Sequence, residues 1–103
     1  MRTHEQIDER SLALAAEIAA RIDGDPEHRG LERARKVCAR WAAMEHAPDV
    51  GAWLRILEGS WPSVRSVLLD PSETGRRLRQ SSPFCGVLSP RERWAIWRRF
   101  RSQ

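Results

Sequence analysis

The sequence repeatedly places a helix-capping residue one or two positions before a proline, and this pattern constrains the fold more than any other. It occurs at Asp25-Pro26, Ser60-Trp61-Pro62, Asp70-Pro71 and Ser89-Pro90. Asp and Ser accept hydrogen bonds from the free amides of the first helical turn, and proline suits that turn because it has no amide to satisfy. No alternating run of strand-forming residues lies between these signals. The chain is therefore predicted to be all-α.

The strongest of these signals begins the last helix. Glu92 follows Ser89 by three residues, which is the spacing of a capping box, so a helix is predicted to start at Pro90. Arg91, Arg98 and Arg99 fall on its polar side. One apolar face collects the residues Trp94, Ile96, Trp97 and Phe100. We expect this aromatic face to close the core.

Arg93 is an exception on that helix, because it projects into the apolar sector between Trp97 and Phe100. In one interpretation its stem lies along the aromatic rings while the guanidinium stays in water or over a ring. In the other it forms a buried ion pair with a carboxylate such as Asp8 or Asp70. The sequence leaves both open.

Two long helices are predicted at the N-terminal end. The first begins with the capping-box spacing of Thr3 and Gln6 and ends at Gly24. The second is predicted from Pro26 to about Glu45, with an irregular first turn. The inner face of the first comprises Ile7, Ser11, Leu14, Ala15, Ile18, Ala19 and Ile22, and that of the second Leu31, Ala34, Val37, Cys38, Trp41, Ala42 and Met44. Alanines in the first helix allow close approach, which predicts an antiparallel hairpin.

Shorter helices are predicted to follow, giving five to six helices in all. They run from about Val50 to Glu58, from Ser60 through Leu69, and from Pro71 to about Gln80. Leu78 is the one strong apolar anchor of the last of these, which we expect to be the loosest. Residues 81–88 form a predicted loop. At 103 residues, the chain is predicted to be a single helical domain spanning residues 1–103.

The chain is basic, with a net charge of +4 and one lysine among eighteen cationic residues. This balance is compatible with binding to nucleic acid or to an acidic protein surface, although a GC-rich genome also encodes arginine-rich chains. Spacings of four, three and four residues align one set on the second helix, which we name the basic strip: Arg29, Arg33, Lys36 and Arg40. The strip is either a solvated face or a surface for a phosphate backbone or acidic partner.

No pattern of catalytic or metal-binding residues is evident. Cys38 and Cys85 form no CxxC motif, and His4, His28 and His46 have no ligand spacing to one another. We therefore expect a non-enzymatic protein with no cofactor and no metal. The cysteines are expected to be reduced thiols of a cytoplasmic protein. No apolar run approaches the roughly 20 residues of a membrane span.

Five tryptophans exceed what such a core needs, and tryptophan with arginine is enriched at interface hot spots. Trp41 and Trp53 are expected in the core. A large apolar residue, Phe84, lies in a polar loop, which predicts an aromatic anchor with a polar rim. The predicted partner-binding set is Trp61, Arg79, Gln80, Ser81, Ser82, Pro83, Phe84 and Trp94. The alternative is that Phe84 turns inward and pins the loop to the core.

Several segments resemble a known family. These are THEQIDERSLAL, ARW at 39–41, W-x2-IL at 53–57 and LRQSSPFCGVLSPRERWAIWRRF at 78–100. Together they resemble small all-helical bacterial proteins of unassigned biochemistry, encoded beside nucleotidyltransferase-fold proteins in toxin-antitoxin-like operons. Cys85 and Trp97 depart from the small residue and the tyrosine expected there.

The resemblance implies an antitoxin-like partner that binds and restrains a nucleotidyltransferase-type toxin. It supplies no catalytic residues, since none are known for the family. A different possibility, suggested by the charge, is a small nucleic-acid-binding regulatory protein that contacts operator DNA or RNA.

Overall fold

The computed structural model describes residues 4–44 and 48–99, with side chains described for 9–44 and 48–99. All regular structure over this part of the chain is helical, which confirms the all-α prediction. The helices are α1 His4–Asp23, α2 Arg29–Ala43, α3 Val50–Ile56, α4 Trp61–Leu68, α5 Glu73–Arg79 and α6 Pro90–Arg98. The predicted cap at Thr3 lies outside the described residues.

The core is built around an aromatic cluster contributed by α3, α4 and the loop after α5. Trp53 of α3 and Phe84 of the loop after α5 are the largest fully buried side chains. Their rings lie edge to face with centroids 6.0 Å apart, and Trp61 of α4 lies 6.5 Å from Phe84 on another side. Alanine and isoleucine side chains of α1 cover this cluster. α1 contacts α2, α4, α5 and α6, so it is the helix around which the others assemble.

The capping box at Ser89 is confirmed. The Ser89 hydroxyl accepts a hydrogen bond from the Glu92 amide at 3.1 Å, and the Glu92 carboxylate accepts one from the Ser89 amide at 3.0 Å. The helix begins at Pro90 as predicted. Each partner of this motif lies within three residues of the other, so the geometry depends on no distant contact.

Two other predicted helix starts are wrong by two or three residues. The Asp25 carboxylate accepts from the amides of Glu27 and Arg29, and it holds a turn before α2 begins at Arg29. The Asp70 carboxylate likewise accepts from the amide and hydroxyl of Ser72, at 2.9 and 2.8 Å. Ser72 is then the actual cap of α5. Aspartate before proline therefore forms a local turn here that competes with helix initiation.

Two further predictions about packing are corrected. Met44 is 63% exposed and does not belong to the inner face of α2. The aromatic face of α6 does not close the core over the described residues, because Ile96 is buried whereas Trp94 and Trp97 are exposed. Phe100 lies outside the described part. Leu78 is the strong apolar anchor of α5, as predicted, and the charged residue Arg79 is buried beside it. The antiparallel arrangement of α1 and α2 stays a prediction.

Polar side chains tie the ends of the short helices to their neighbours. Arg35 of α2 donates from Nε to the Leu57 carbonyl at 2.8 Å and from Nη2 to the Gly59 carbonyl at 3.2 Å. The indole N–H of Trp53 donates to the Leu78 carbonyl at 2.9 Å. These carbonyls lie at or just beyond the ends of α3 and α5, where the regular hydrogen bonding of the helix stops. The bonds therefore fix α3 against α2 and α5.

The end of α1 is joined to α4 through Asp23. Its carboxylate accepts from the Trp61 indole N–H at 2.7 Å and from Arg65 Nε at 3.0 and 3.2 Å. The Trp61 hydrogen bond, followed by Arg65, holds the pKa of the Asp23 carboxyl below its usual value. Because the folded-state pKa is depressed, the stabilisation is present above the unfolded-state pKa and is lost as pH falls through the folded-state value.

We therefore expect Asp23→Asn to lower the thermal midpoint at neutral pH, because the amide keeps an acceptor for Trp61 but loses the charge that faces Arg65. The difference from the unmodified protein should shrink as the pH falls from the unfolded-state pKa of about 4 through the lower folded-state pKa, where the carboxylate of the folded protein becomes protonated. Thermal unfolding across pH measures this. Glu58→Gln, which changes an exposed carboxylate elsewhere, is the control. A difference that does not change with pH would contradict the assignment.

Candidate functional site

An open cavity of about 430 Å³ lies between α1, α6 and residues 80–88. We name it the tryptophan groove. Its floor is apolar and comprises Leu14, Ala15, Ile18, Leu68, Phe84 and Leu88. Polar and larger residues complete the lining: Arg10, Ser11, Arg79, Gln80, Ser82, Cys85, Arg93 and Trp97. Its volume falls within the range of ordinary binding pockets.

Two exposed tryptophans adjoin the groove. Trp94 is 47% exposed and Trp97 is 37% exposed, and their rings lie edge to face with centroids 6.3 Å apart. The guanidinium carbon of Arg10 lies 4.9 Å from the centre of the Trp97 ring, within the range of a cation–π contact. Single exposed apolar residues are common, but an aromatic pair continuous with an apolar groove is typical of an interaction site.

Arg79 links α1 to the chain at the end of α4 beside the groove. Its Nε donates to the Ser11 hydroxyl at 2.9 Å, and its Nη1 donates to the carbonyls of Leu68 at 3.3 Å and Asp70 at 2.5 Å. The guanidinium thus satisfies carbonyls at the end of α4 while it bonds α1. Its hydrogen-bonding capacity is used mainly inside the protein, so its primary role is structural.

The predicted partner-binding residues divide between the groove and the interior. Gln80 and Ser82 line the groove, as do Arg79 and one side of Phe84. Phe84 is only 1% exposed, so the alternative in which it pins the loop to the core is confirmed. Pro83 and Trp61 are also buried, whereas Ser81 is half-buried. In this structure Phe84 and Trp61 are core residues and not exposed anchors.

The contribution of α1 to the groove, and part of the rim, could not be predicted from the sequence. Ser11 and Leu14 belong to the predicted core-facing stripe of α1, yet they are only half-buried and line the groove. Arg10 and Cys85 were not predicted as site residues at all. A periodic apolar stripe predicts which face of a helix packs against other elements. It does not show how much of that face the neighbouring helices cover.

Arg93 lies half-buried on the rim of the groove. It forms no ion pair with Asp70, whose carboxylate bonds Ser72 instead. The side chain of Asp8, the other carboxylate considered, lies outside the described residues. The interpretation with a buried Asp70 pair is therefore wrong, and Arg93 stands beside Trp97 in the groove lining.

The basic strip is exposed along its whole length. Arg29 is neutralised locally, since its Nε lies 3.1 Å from the Asp25 carboxylate and 3.7 Å from that of Glu27. The remaining members, Arg33, Lys36 and Arg40, form no ion pair with any residue in the described ranges. The Arg33 guanidinium rests on Gly86, where an added Cβ would lie 2.8 Å from its Nε. The strip therefore presents three uncompensated cations.

The two thiols differ in environment. Cys38 is fully buried, and this burial raises the pKa of its thiol. Cys85 is exposed on the groove lining. Among the side chains described, no three His, Cys, Asp or Glu groups are placed to hold a metal ion. The ring of His28 packs 6.0 Å from that of Trp61, while the side chains of His4 and His46 lie outside the described part.

Comparisons with protein-family models, curated proteins and solved structures found no match for this chain. No helix in the described ranges is long and apolar enough to cross a membrane. The functional hypothesis must therefore be built on the groove and the basic strip themselves.

Proposed function

We propose that this chain is a non-enzymatic, cytoplasmic protein-binding module that holds a partner protein in the tryptophan groove. The observation that carries the proposal is the exposed pair Trp94 and Trp97 beside an apolar floor. Burying two indole rings against a partner removes a large apolar area from water, and tryptophan is the residue most enriched at interface hot spots. The apolar floor supplies the dry centre that such an interface needs.

The family resemblance suggests the class of partner. In this proposal the chain is the antitoxin-like member of a pair, and it binds and restrains a nucleotidyltransferase-type toxin. The groove includes Gln80, Ser82 and Phe84, which belong to the segment that carries the most specific part of the resemblance. The proposed contact surface is consequently the groove together with the tryptophan pair, and not the buried loop residues.

Substitution of the tryptophan pair tests the proposal. Trp94→Ala and Trp97→Ala should each weaken binding to the co-expressed neighbouring toxin-like protein by about tenfold or more, because each removes a large side chain from the interface. Their thermal midpoints should change little, since both rings are substantially exposed. Binding is measured by titration calorimetry. Leu54→Ala removes an exposed apolar side chain on α3, away from the groove, and serves as the control.

Cys85 offers an independent measurement. Its exposed thiol lines the groove, so a bound partner should slow its alkylation, while buried Cys38 stays unreactive in both states. A complex that forms without protecting Cys85, or whose affinity is unaffected by both tryptophan substitutions, would place the interface elsewhere. If co-expression of this chain leaves the toxicity of the neighbouring toxin-like protein unchanged, the chain is not its antitoxin.

A second candidate function is binding to nucleic acid through the basic strip. The observation that favours it is the set of three uncompensated cations, Arg33, Lys36 and Arg40, at helical spacing on one exposed face of α2. Regularly spaced cations of this kind suit a phosphate backbone. In this version the chain is a small regulatory protein that contacts operator DNA or RNA.

Neutralising Arg33, Lys36 and Arg40 to glutamine should weaken binding to DNA of any sequence and reduce the slope of log affinity against log salt by about two to three. Adding Arg29→Gln should change little further, because Asp25 already neutralises it. Mobility shifts at several salt concentrations measure the slope. A triple variant of Arg91, Arg98 and Arg99 carries the same net charge and is the control. If the unmodified protein does not shift the mobility of DNA at low salt, the basic strip is only a solvated face.

A further inference from the structure

The charged residues described in the lining of the tryptophan groove are all positive. Among its described lining residues are three arginines, Arg10, Arg79 and Arg93, and no carboxylate. The nearby acid of α6, Glu92, faces away from the groove, where it is paired with Arg21 and closes the capping box. An apolar floor whose described charged neighbours are all cations favours an occupant that is apolar on one side and negatively charged beside it.

Two of the arginines are available to such an occupant. Arg79 is mainly engaged by Ser11 and by carbonyls at the end of α4. Arg10 is held against the Trp97 ring, and its Nε is enclosed without a hydrogen-bond acceptor. Arg93 forms no ion pair within the described ranges and is half-buried on the opposite rim. Arg10 and Arg93 therefore have no ion-pair partner among the described residues.

On this basis, and resting on the proposed protein-binding function, we propose that the groove binds an acidic amphipathic segment of the partner. Apolar side chains of that segment pack on the floor between α1 and α6, and its carboxylates pair with Arg10 and Arg93. Arginine suits this task because its planar group bonds a carboxylate through two parallel hydrogen bonds. The aromatic ring beneath Arg10 keeps the cation oriented before the partner arrives.

A phosphate backbone is a poorer match for this site than an acidic peptide. Nucleic-acid backbones are bound by extended rows of cations and by polar groups, whereas the groove floor is lined by leucine, isoleucine, alanine and phenylalanine. The exposed basic strip on α2 offers such a row on a different helix. The two surfaces therefore suit two different kinds of ligand.

The experiment uses two synthetic helical peptides with the same leucine and phenylalanine positions. One carries glutamate at the intervening positions and the other carries lysine. Each is titrated into the full-length protein while Cys85 alkylation is followed. The glutamate peptide should protect Cys85 and bind about tenfold or more tightly than the lysine peptide. Arg10→Gln and Arg93→Gln should each weaken its binding by about three- to tenfold, whereas Arg98→Gln on the same helix as Arg93 should not.

The charge-reversed variant Arg93→Glu keeps the test independent of any loss of folding, because it should shift preference toward the lysine peptide. Equal binding of the two peptides, or tighter binding of the lysine peptide by the unmodified protein, would overturn the proposal. So would Cys85 protection that rises with protein concentration in the absence of peptide, since a second copy of the chain would then be the occupant. If neither peptide binds but the toxin-like partner still protects Cys85, the acidic-segment inference fails and the protein-binding function stands.

Discussion

Replacing Gly75 with alanine is expected to destabilise the protein by about 3 kcal/mol, the upper end of the usual cost of overpacking. Gly75 is buried in the first turn of α5. A Cβ added there would lie 2.7 Å from the Asp70 Cβ and closer still to the Asp70 carbonyl oxygen. Most of that obstruction is backbone, which cannot rotate away, and the same carbonyl accepts the Arg79 hydrogen bond. Relief of the clash would therefore also disturb Arg79, which lines the tryptophan groove.

Gly51→Ala is the matched control, because it makes the same chemical change in another short helix. Nothing lies within 4 Å of the Cβ that would be added at Gly51. This variant should be neutral or more stable by up to about 1 kcal/mol, as alanine is the better helix former. Urea denaturation of both variants measures the contrast. Similar free energies of unfolding for the two would mean that α5 does not approach Asp70 as closely in solution.

The second large effect is expected at Phe84. Truncating it to alanine should cost about 3–5 kcal/mol, since the ring is fully buried between Trp53 and Trp61 and its loss leaves a cavity. Phe84→Leu, which keeps most of the volume, should cost much less. Chemical denaturation gives both values.

This expectation changes how an interface test must be interpreted. Lost partner binding in Phe84→Ala would follow from unfolding alone, so it would not identify a contact residue. The same argument applies to Arg79, whose removal leaves carbonyls at the end of α4 without their donor. Should Phe84→Ala retain its stability yet lose the partner, Phe84 would be an exposed anchor, the role that the polar loop first predicts for it.

Local signals were the ones that could be predicted correctly. The start of α6 follows from Ser89, Pro90 and Glu92 alone, because all the atoms of a capping box lie within one turn. Aspartate before proline was misjudged for a related reason. The carboxylates of Asp25 and Asp70 can bond amides two residues onward, and these turns form without any helix. The sequence shows where the chain changes direction at these aspartates. It does not show whether a helix or a local turn begins there.

Features that depend on distant partners could not be predicted. Arg79 follows an unremarkable basic run, and only the assembled fold brings it to the open carbonyls at the end of α4. The apolar stripe of α6 correctly indicated docking, but Ile96 alone of its described members is buried. Helical periodicity fixes which residues share a face, whereas the depth of burial depends on the neighbouring helix. The groove exists because α6 covers α1 incompletely.

The placement of the tryptophans gives the protein two separate optical signals. There is no tyrosine in the chain, so its near-ultraviolet emission comes from tryptophan. Trp53 and Trp61 are enclosed and should be shielded from a dissolved quencher such as acrylamide, whereas Trp94 and Trp97 are open to it. An occupant of the tryptophan groove should therefore reduce the quenchable fraction of the native emission. Unfolding should do the opposite, so binding and loss of structure can be distinguished in one unlabelled sample.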